Sequence, residues 1–144
     1  MQGGSVAEVD ARATMNALYD AYARGDFDRL SAFVDENVDW MIYAPVMVFP
    51  FAGPRRGRAA VMQTFREIVR DYALESYQRE IVVVEGDRVA VMADVRMQQR
   101  TTGRTLRFRV ANFMRYRDGR LAEFREFINS FDVVEQALGR ELPV

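Results

Sequence analysis

The sequence predicts an α+β fold in a single domain over residues 1–144, and three observations carry that prediction. Apolar residues in the first half recur at helical spacing. The second half holds four alternating segments separated by tight-turn signals. Helices first and a meander of strands after place the helices on one face of an antiparallel sheet. A chain of 144 residues buries roughly two-thirds of its unfolded surface as one unit, and no linker, repeat or low-complexity tract divides it.

The elements follow in order. Met15, Leu18, Tyr19 and Tyr22 recur at i, i+3, i+4, i+7, so a helix is expected over 6–24, ending at Gly25. Asp26 caps a second helix over 27–34 that carries Phe27, Leu30 and Phe33. "VDWMIYA" suits a strand over 38–44. A loop with Pro45, Pro50, Gly53 and Pro54 follows, and "RRGR" at 55–58 is either a solvated loop or an anion site at a helix start. Val61, Phe65, Ile68, Val69 and Tyr72 mark a helix over 58–72. Strands are expected over 78–84, 88–100, 104–117 and 120–128, turned at "EGD", "TTG" and Asp118-Gly119. Asp132 to Glu135 resembles a capping pattern for a short last helix stopped by Gly139.

Composition removes whole classes of chemistry. The chain has no histidine, cysteine or lysine, and all 20 basic residues are arginine. That excludes a Ser-His-Asp triad, a thiolate nucleophile, a lysine Schiff base and the usual zinc sites. Acid–base work must fall to Asp, Glu or Tyr, and no cofactor or metal is expected. A net charge of −1 gives no electrostatic case for nucleic acid or anionic membrane. No apolar run approaches the ~20 residues of a span. "MQGGSVAEVD" lacks the basic region and apolar core of a signal peptide. With no cysteine, a reducing cytoplasm is the expected compartment.

Strand alternation then sorts the faces. Val110, Asn112, Met114 and Tyr116 are the less charged set of one strand, and Ala122, Phe124, Glu126 and Ile128 of the next. The two sets share an inward face if a three-residue turn pairs 116 with 120, with Gly119 as a bulge. Glu126 then sits inward beside Asn112. Val89, Val91, Ala93, Val95 and Met97 form one face of the preceding strand. A two-residue turn at Thr102-Gly103 pairs 101 with 104, sets Ala93 opposite Asn112 and turns Asp94 outward beside Arg107 and Arg109. A register shifted by one residue brings Asp94 inward beside Asn112. Both registers stand at this point.

Four segments together resemble the nuclear transport factor 2-like superfamily, in its SnoaL-like, ketosteroid isomerase-related branch. They are "YDAYARGDFDRLSAFVDENVDW", "FPFAGPRRGRAAVMQTF", "TTGRTLRFRVANFMRYRDGRLAEFREFIN" and the final helix, spanning about Met15 to Leu138. The resemblance implies a cone: a strongly curved, mostly antiparallel sheet wrapped around N-terminal helices with an apolar central pocket. It also implies dimers through the outer sheet face. Members include isomerases, polyketide cyclases, epoxide hydrolases, dehydratases and proteins that only bind.

Carried over residue by residue, the family's catalytic sets are largely replaced. The ketosteroid isomerase base falls on Ile42, its tyrosine on Leu18 with Tyr19 and Tyr22 nearby, and its protonated aspartate, an example also used in general accounts of pKa tuning, on Asn112. The cyclases' histidine has no counterpart. The last-strand aspartate of limonene epoxide hydrolase falls on Glu126. That enzyme's second aspartate falls on Asp94 only with one residue inserted before Thr102, and its arginine on Met92.

The resulting expectation has two forms. In one, Glu126, with Asn112 and in one register Asp94, does acid–base chemistry on a small apolar molecule. In the other, the pocket only binds. Its wall is expected to include Trp40, Val91, Ala93, Met114, Tyr116 and Phe124. A homodimer is expected through the outer face, which carries Phe113, Phe127 and arginines 107, 109, 115 and 125.

Overall fold

The computed structural model describes residues 4–144, so the first three residues of the N-terminal stretch read for a signal segment lie outside the described residues. The order is α1 (Val6–Arg24), α2 (Phe27–Ala32), β1 (Val34–Tyr43), β2 (Gly53–Arg56), α3 (Arg58–Asp71), β3 (Tyr72–Glu85), β4 (Arg88–Gln99), β5 (Thr105–Arg117), β6 (Arg120–Ile128) and α4 (Ser130–Leu138). The six strands form one sheet in the order β2-β1-β6-β5-β4-β3. β1 and β6 run parallel; the other pairs are antiparallel. No helix among the described residues is long and apolar enough to cross a membrane.

Local chemistry sets the helix limits. Ser5 Oγ accepts the Glu8 amide at 3.2 Å and opens α1, and Gly25 closes it in the left-handed conformation at φ 67°. Asp26 accepts the Arg29 amide at 3.1 Å and opens α2. Two strand limits differ from expectation, and one strand is additional. β1 begins at Val34, where the second helix was expected to continue, because the Leu121 amide donates to Phe33 O at 2.7 Å and Val34 pairs with Leu121. β3 begins at Tyr72, directly after α3, and pairs with β4 along its length. β2, expected as loop, is a four-residue edge strand; Pro54 is tolerated there because an edge strand does not need every N–H.

The arginines of 55–58 serve the fold. Arg55 donates to Thr64 Oγ1 and to the Ala52, Pro54 and Pro50 carbonyls, and Arg58 to Val34 O at 2.8 Å. Arg56 pairs with Asp39 at 3.2 Å.

Register decides which side chains meet inside the curved sheet. Asn112 pairs with Glu126 across β5 and β6, so the expected juxtaposition forms, but by another route. Asp118 and Gly119, both at positive φ, make a two-residue turn that pairs Arg117 with Arg120, where a three-residue turn was expected. Left alone, that turn would put Glu126 on the wrong face. A bulge at Ala122 restores the parity: Tyr116 faces Leu121, Arg115 faces Glu123, and Leu121 and Ala122 are both buried.

The β4–β5 connection is two residues longer than expected, with Gln98 opposite Thr105. Asn112 therefore faces Val91, and Ala93 faces Val110. Parity survives, so Asp94 turns outward and its carboxylate takes Arg107 Nη2 at 2.8 Å. The inward placement of Asp94, which would have made it a catalytic candidate, is corrected by this register.

Candidate functional site

A cavity of about 80 Å³ lies between the inner sheet face and the helices. Its polar groups come from four elements. Tyr19 and Tyr22 project from the apolar stripe of α1, Tyr77 from β3, Asn112 from the middle of β5 and Glu126 from the facing position on β6. Aromatic rings supply much of the rest. Trp40 stacks on Phe124 with centroids 3.9 Å apart and meets the edge of Phe65 at 5.5 Å. Tyr19 and Tyr77 lie 5.5 Å apart.

Asn112 is only 2 % exposed, and its amide ties the phenols together. Asn112 Nδ2 donates to Tyr19 Oη at 2.6 Å and to Tyr77 Oη at 2.9 Å. Because both oxygens accept, both phenol protons are directed elsewhere. The Tyr19 hydroxyl also lies within hydrogen-bonding reach of the Tyr77 hydroxyl, and its other acceptor is Met114 Sδ at 3.9 Å, a weak one. Two buried polar atoms, Asn112 Oδ1 and Trp40 Nε1, have no hydrogen-bond partner among the described residues. Buried groups of that kind are few in folded proteins, and both belong to side chains of this wall.

Glu126 has neither an ion-pair nor a hydrogen-bond partner among the described residues. Arg96 is turned to the outer face toward Glu75, at 4.0 Å. Arg79 lies over the Tyr19 ring at 5.1 Å and donates to Asn16 Oδ1 at 2.8 Å. Glu126 as a whole residue is only partly buried, but desolvation of its carboxyl in the cavity, with no cation beside it, pushes that group up to about 8. Burial also raises the Tyr19, Tyr22 and Tyr77 phenols, and the nearby Glu126 charge adds to each. The phenols are therefore neutral donors at any physiological pH. The arrangement is one basic carboxyl facing neutral donors in an apolar chamber.

Of the residues expected from sequence, Trp40, Asn112, Phe124 and Glu126 line the cavity. Val91, Ala93, Met114 and Tyr116 face inward and are buried, but they are packed core outside the cavity wall. The Tyr116 hydroxyl donates to Met114 Sδ at 3.1 Å. Asp94 is absent from the wall, for the reason given by its register. Sequence reasoning read Tyr19 and Tyr22 only as part of a buried helix stripe, and it began β3 at 78, six residues after its actual start at Tyr72, which left Tyr77 out. A signal was available in α1: two phenols on a buried stripe need partners that phenylalanine would not.

The SnoaL-like domain family model matches residues 15–124. Among solved structures, a protein from Rhodopseudomonas palustris provisionally named an isomerase is 37% identical, with a TM-score of 0.80 over 88% of this chain and 93% of that one. A nuclear transport factor 2-like protein from Burkholderia xenovorans is 23% identical, with a TM-score of 0.80 over 92% of this chain and 99% of that one. An epoxide hydrolase of M. tuberculosis similar to limonene epoxide hydrolase is 15% identical, with a TM-score of 0.75 over 92% of both chains. The last two likenesses concern the fold alone. No curated protein matches the chain.

Proposed function

The chain belongs to the SnoaL-like domain family, and from that premise we propose that it binds a small apolar carbonyl compound and moves a proton at the carbon beside the carbonyl. Glu126 is the base. Tyr19 and Tyr77, braced by Asn112, donate to the carbonyl oxygen. The observation that carries the reading is a lone, unpaired carboxyl in the same cavity as a phenol pair that the Asn112 amide holds through the phenol oxygens.

Each step balances within these groups. Ionised Glu126 takes the proton, the C–H electron pair forms a carbon–carbon double bond, and the carbonyl π pair moves to oxygen. The phenols meet that charge with hydrogen bonds already in place. Returning the proton to the same carbon gives exchange; returning it to another gives isomerisation. A general base placed this way contributes about 10²–10⁴-fold. Epoxide opening is less well supported, because the positions of the second aspartate and the arginine are an outward Asp94 and Met92.

The test is hydrogen–deuterium exchange of 2-butanone in heavy water, followed by NMR. Glu126→Gln should slow exchange by about 10²-fold or more while retaining affinity. Asn112→Leu frees the two phenols and should lower kcat by roughly tenfold or more with a smaller change in KM. Binding with no exchange above the Glu126→Gln level would favour a purely binding module.

We also propose a homodimer through the outer sheet face. Tyr43, Phe113 and Phe127 form an aromatic cluster there, each roughly half exposed, with Tyr43 stacked on Phe127 at 4.5 Å. Solvent-facing aromatic clusters mark association surfaces. Phe127→Glu should weaken the dimer about 30-fold or more in sedimentation, as loss of a central aromatic anchor does. Arg109→Glu should act less, because Arg109 is already paired with Glu80 at 2.8 Å. A wild-type monomer at micromolar concentration overturns the proposal.

A further inference from the structure

A cavity of about 80 Å³ is small for any ligand. It is about half the volume that accommodates benzene in an engineered apolar core, roughly 150 Å³. That volume has room for the polar head of a small carbonyl compound and little more. The rest of such a molecule must go somewhere, and the walls restrict the choices.

A second space of about 230 Å³ opens at the surface between the end of α1, the end of α3 and the first residues of β3. Phe27, Val69, Tyr72 and Leu74 give it apolar sides. It shares Tyr22, Ile68 and Met97 with the inner cavity, so these three side chains border both spaces. Phe51 of the inner wall meets the edge of Tyr72 of the outer one at 5.9 Å. The partition is suited to yielding. Met97 is unbranched and repacks readily. Its strand partner Leu74 lies next to an irregularity at Glu75, where β3 skips one residue of pairing. Val69, at the crevice, is 40 % exposed although apolar.

We propose that the cavity and the crevice are two compartments of one site, and that its ligand is a carbonyl compound with an unbranched apolar tail. The head sits at Glu126; the tail passes Met97 and lies in the crevice between α1 and α3. The proposal rests on the proton-transfer reading for the placement of the head, and on the geometry of the partition for the tail.

The probe is the 2-alkanone series from 2-butanone to 2-decanone. Affinity should rise about fourfold per added methylene past the length that fills the inner cavity, the gain for burying one CH₂. Met97→Trp should stop that rise near 2-pentanone. Because that variant puts bulk into a packed region, a second measurement leaves the partition intact. The chain has no cysteine, so a nitroxide on Val69→Cys is a unique label. It should broaden the terminal methyl of bound 2-decanone far more than its C1 methyl. Broadening that is equal at both ends, affinity that levels off at the same length in wild type and Met97→Trp, or no binding by any member overturns the proposal. Deuterium exchange on the same samples reports on Glu126 separately. Affinity that climbs with chain length without exchange keeps the tail site and refutes proton transfer. Exchange without chain-length dependence does the reverse.

Discussion

Glu126→Gln is expected to flatten the pH dependence of stability that the wild-type chain shows between about pH 4.5 and about pH 8. In the unfolded chain the Glu126 carboxyl titrates near its ordinary 4.5; in the folded chain burial holds it at about 8. Between those values the folded state keeps a proton that the unfolded state has released. Unfolding then releases a proton, so stability falls as pH rises. The slope approaches 1.4 kcal/mol per pH unit as an upper bound, and any water drawn into the cavity would reduce it. Below pH 4.5 both states are protonated and the term vanishes; above about 8 both are ionised and the loss is complete. Glutamine does not titrate, so the variant should match wild type near pH 4 and exceed it by a few kcal/mol at pH 9. The other groups facing Glu126 are the phenols of Tyr19, Tyr22 and Tyr77, all raised above their ordinary 10 and silent in this window. Asp71 and Asp94, held below 3.8 by hydrogen bonds from Arg70 and Arg107, act only in more acid solution. Urea titrations of both chains at pH 5, 7 and 9 decide the matter. Parallel stability curves would mean that Glu126 is solvated and is not the proposed base. The exchange rate should mirror the loss, rising with pH to a plateau above about 8, because the ionised form is the base.

The fold was legible because each of its rules is local. The α1 stripe, the Gly25 stop, the Asp26 cap and the β4 to β6 alternation each follow from a few neighbouring residues. The site was legible only as far as face parity goes. Parity put Asn112 and Glu126 together even though both turns differed from expectation, but it left Asp94 open between two registers until the β4–β5 pairing decided it. Two errors left parity intact: a bulge at Ala122 replaced one at Gly119, and the β4–β5 loop was longer by two residues. Tyr77 and the cavity's extent were not legible. They depend on how far β3 reaches back toward α3 and on how α1 crosses the sheet, which no short window of sequence encodes. Val91, Ala93, Met114 and Tyr116 illustrate the same limit: alternation says which way a side chain points, not whether empty space lies in front of it.

Trp40 carries the second large expected effect, and its two substitutions separate two roles. The indole is 3 % exposed and lies flat on Phe124 with its edge partner Phe65 behind it. Trp40→Ala removes that whole surface and leaves a void continuous with the pocket, so it should cost about 3–5 kcal/mol in urea denaturation. Trp40→Phe keeps a ring on Phe124 and removes the Nε1–H, a buried donor with no partner among the described residues. Removing an unsatisfied donor relieves roughly 1–3 kcal/mol of desolvation cost. The smaller ring gives back a similar amount in lost packing. Net stability should therefore stay within about 1 kcal/mol of wild type. Affinity for a 2-alkanone should nonetheless fall about three- to tenfold if the indole N–H reaches the ligand's oxygen, the usual worth of one hydrogen bond. A stable Trp40→Phe chain that binds less tightly marks the indole as a ligand-facing group. One that binds as well as wild type marks it as core that happens to border a cavity. One that unfolds as readily as Trp40→Ala shows that the N–H is held within the fold, and the orphaned donor then has no bearing on what the pocket receives.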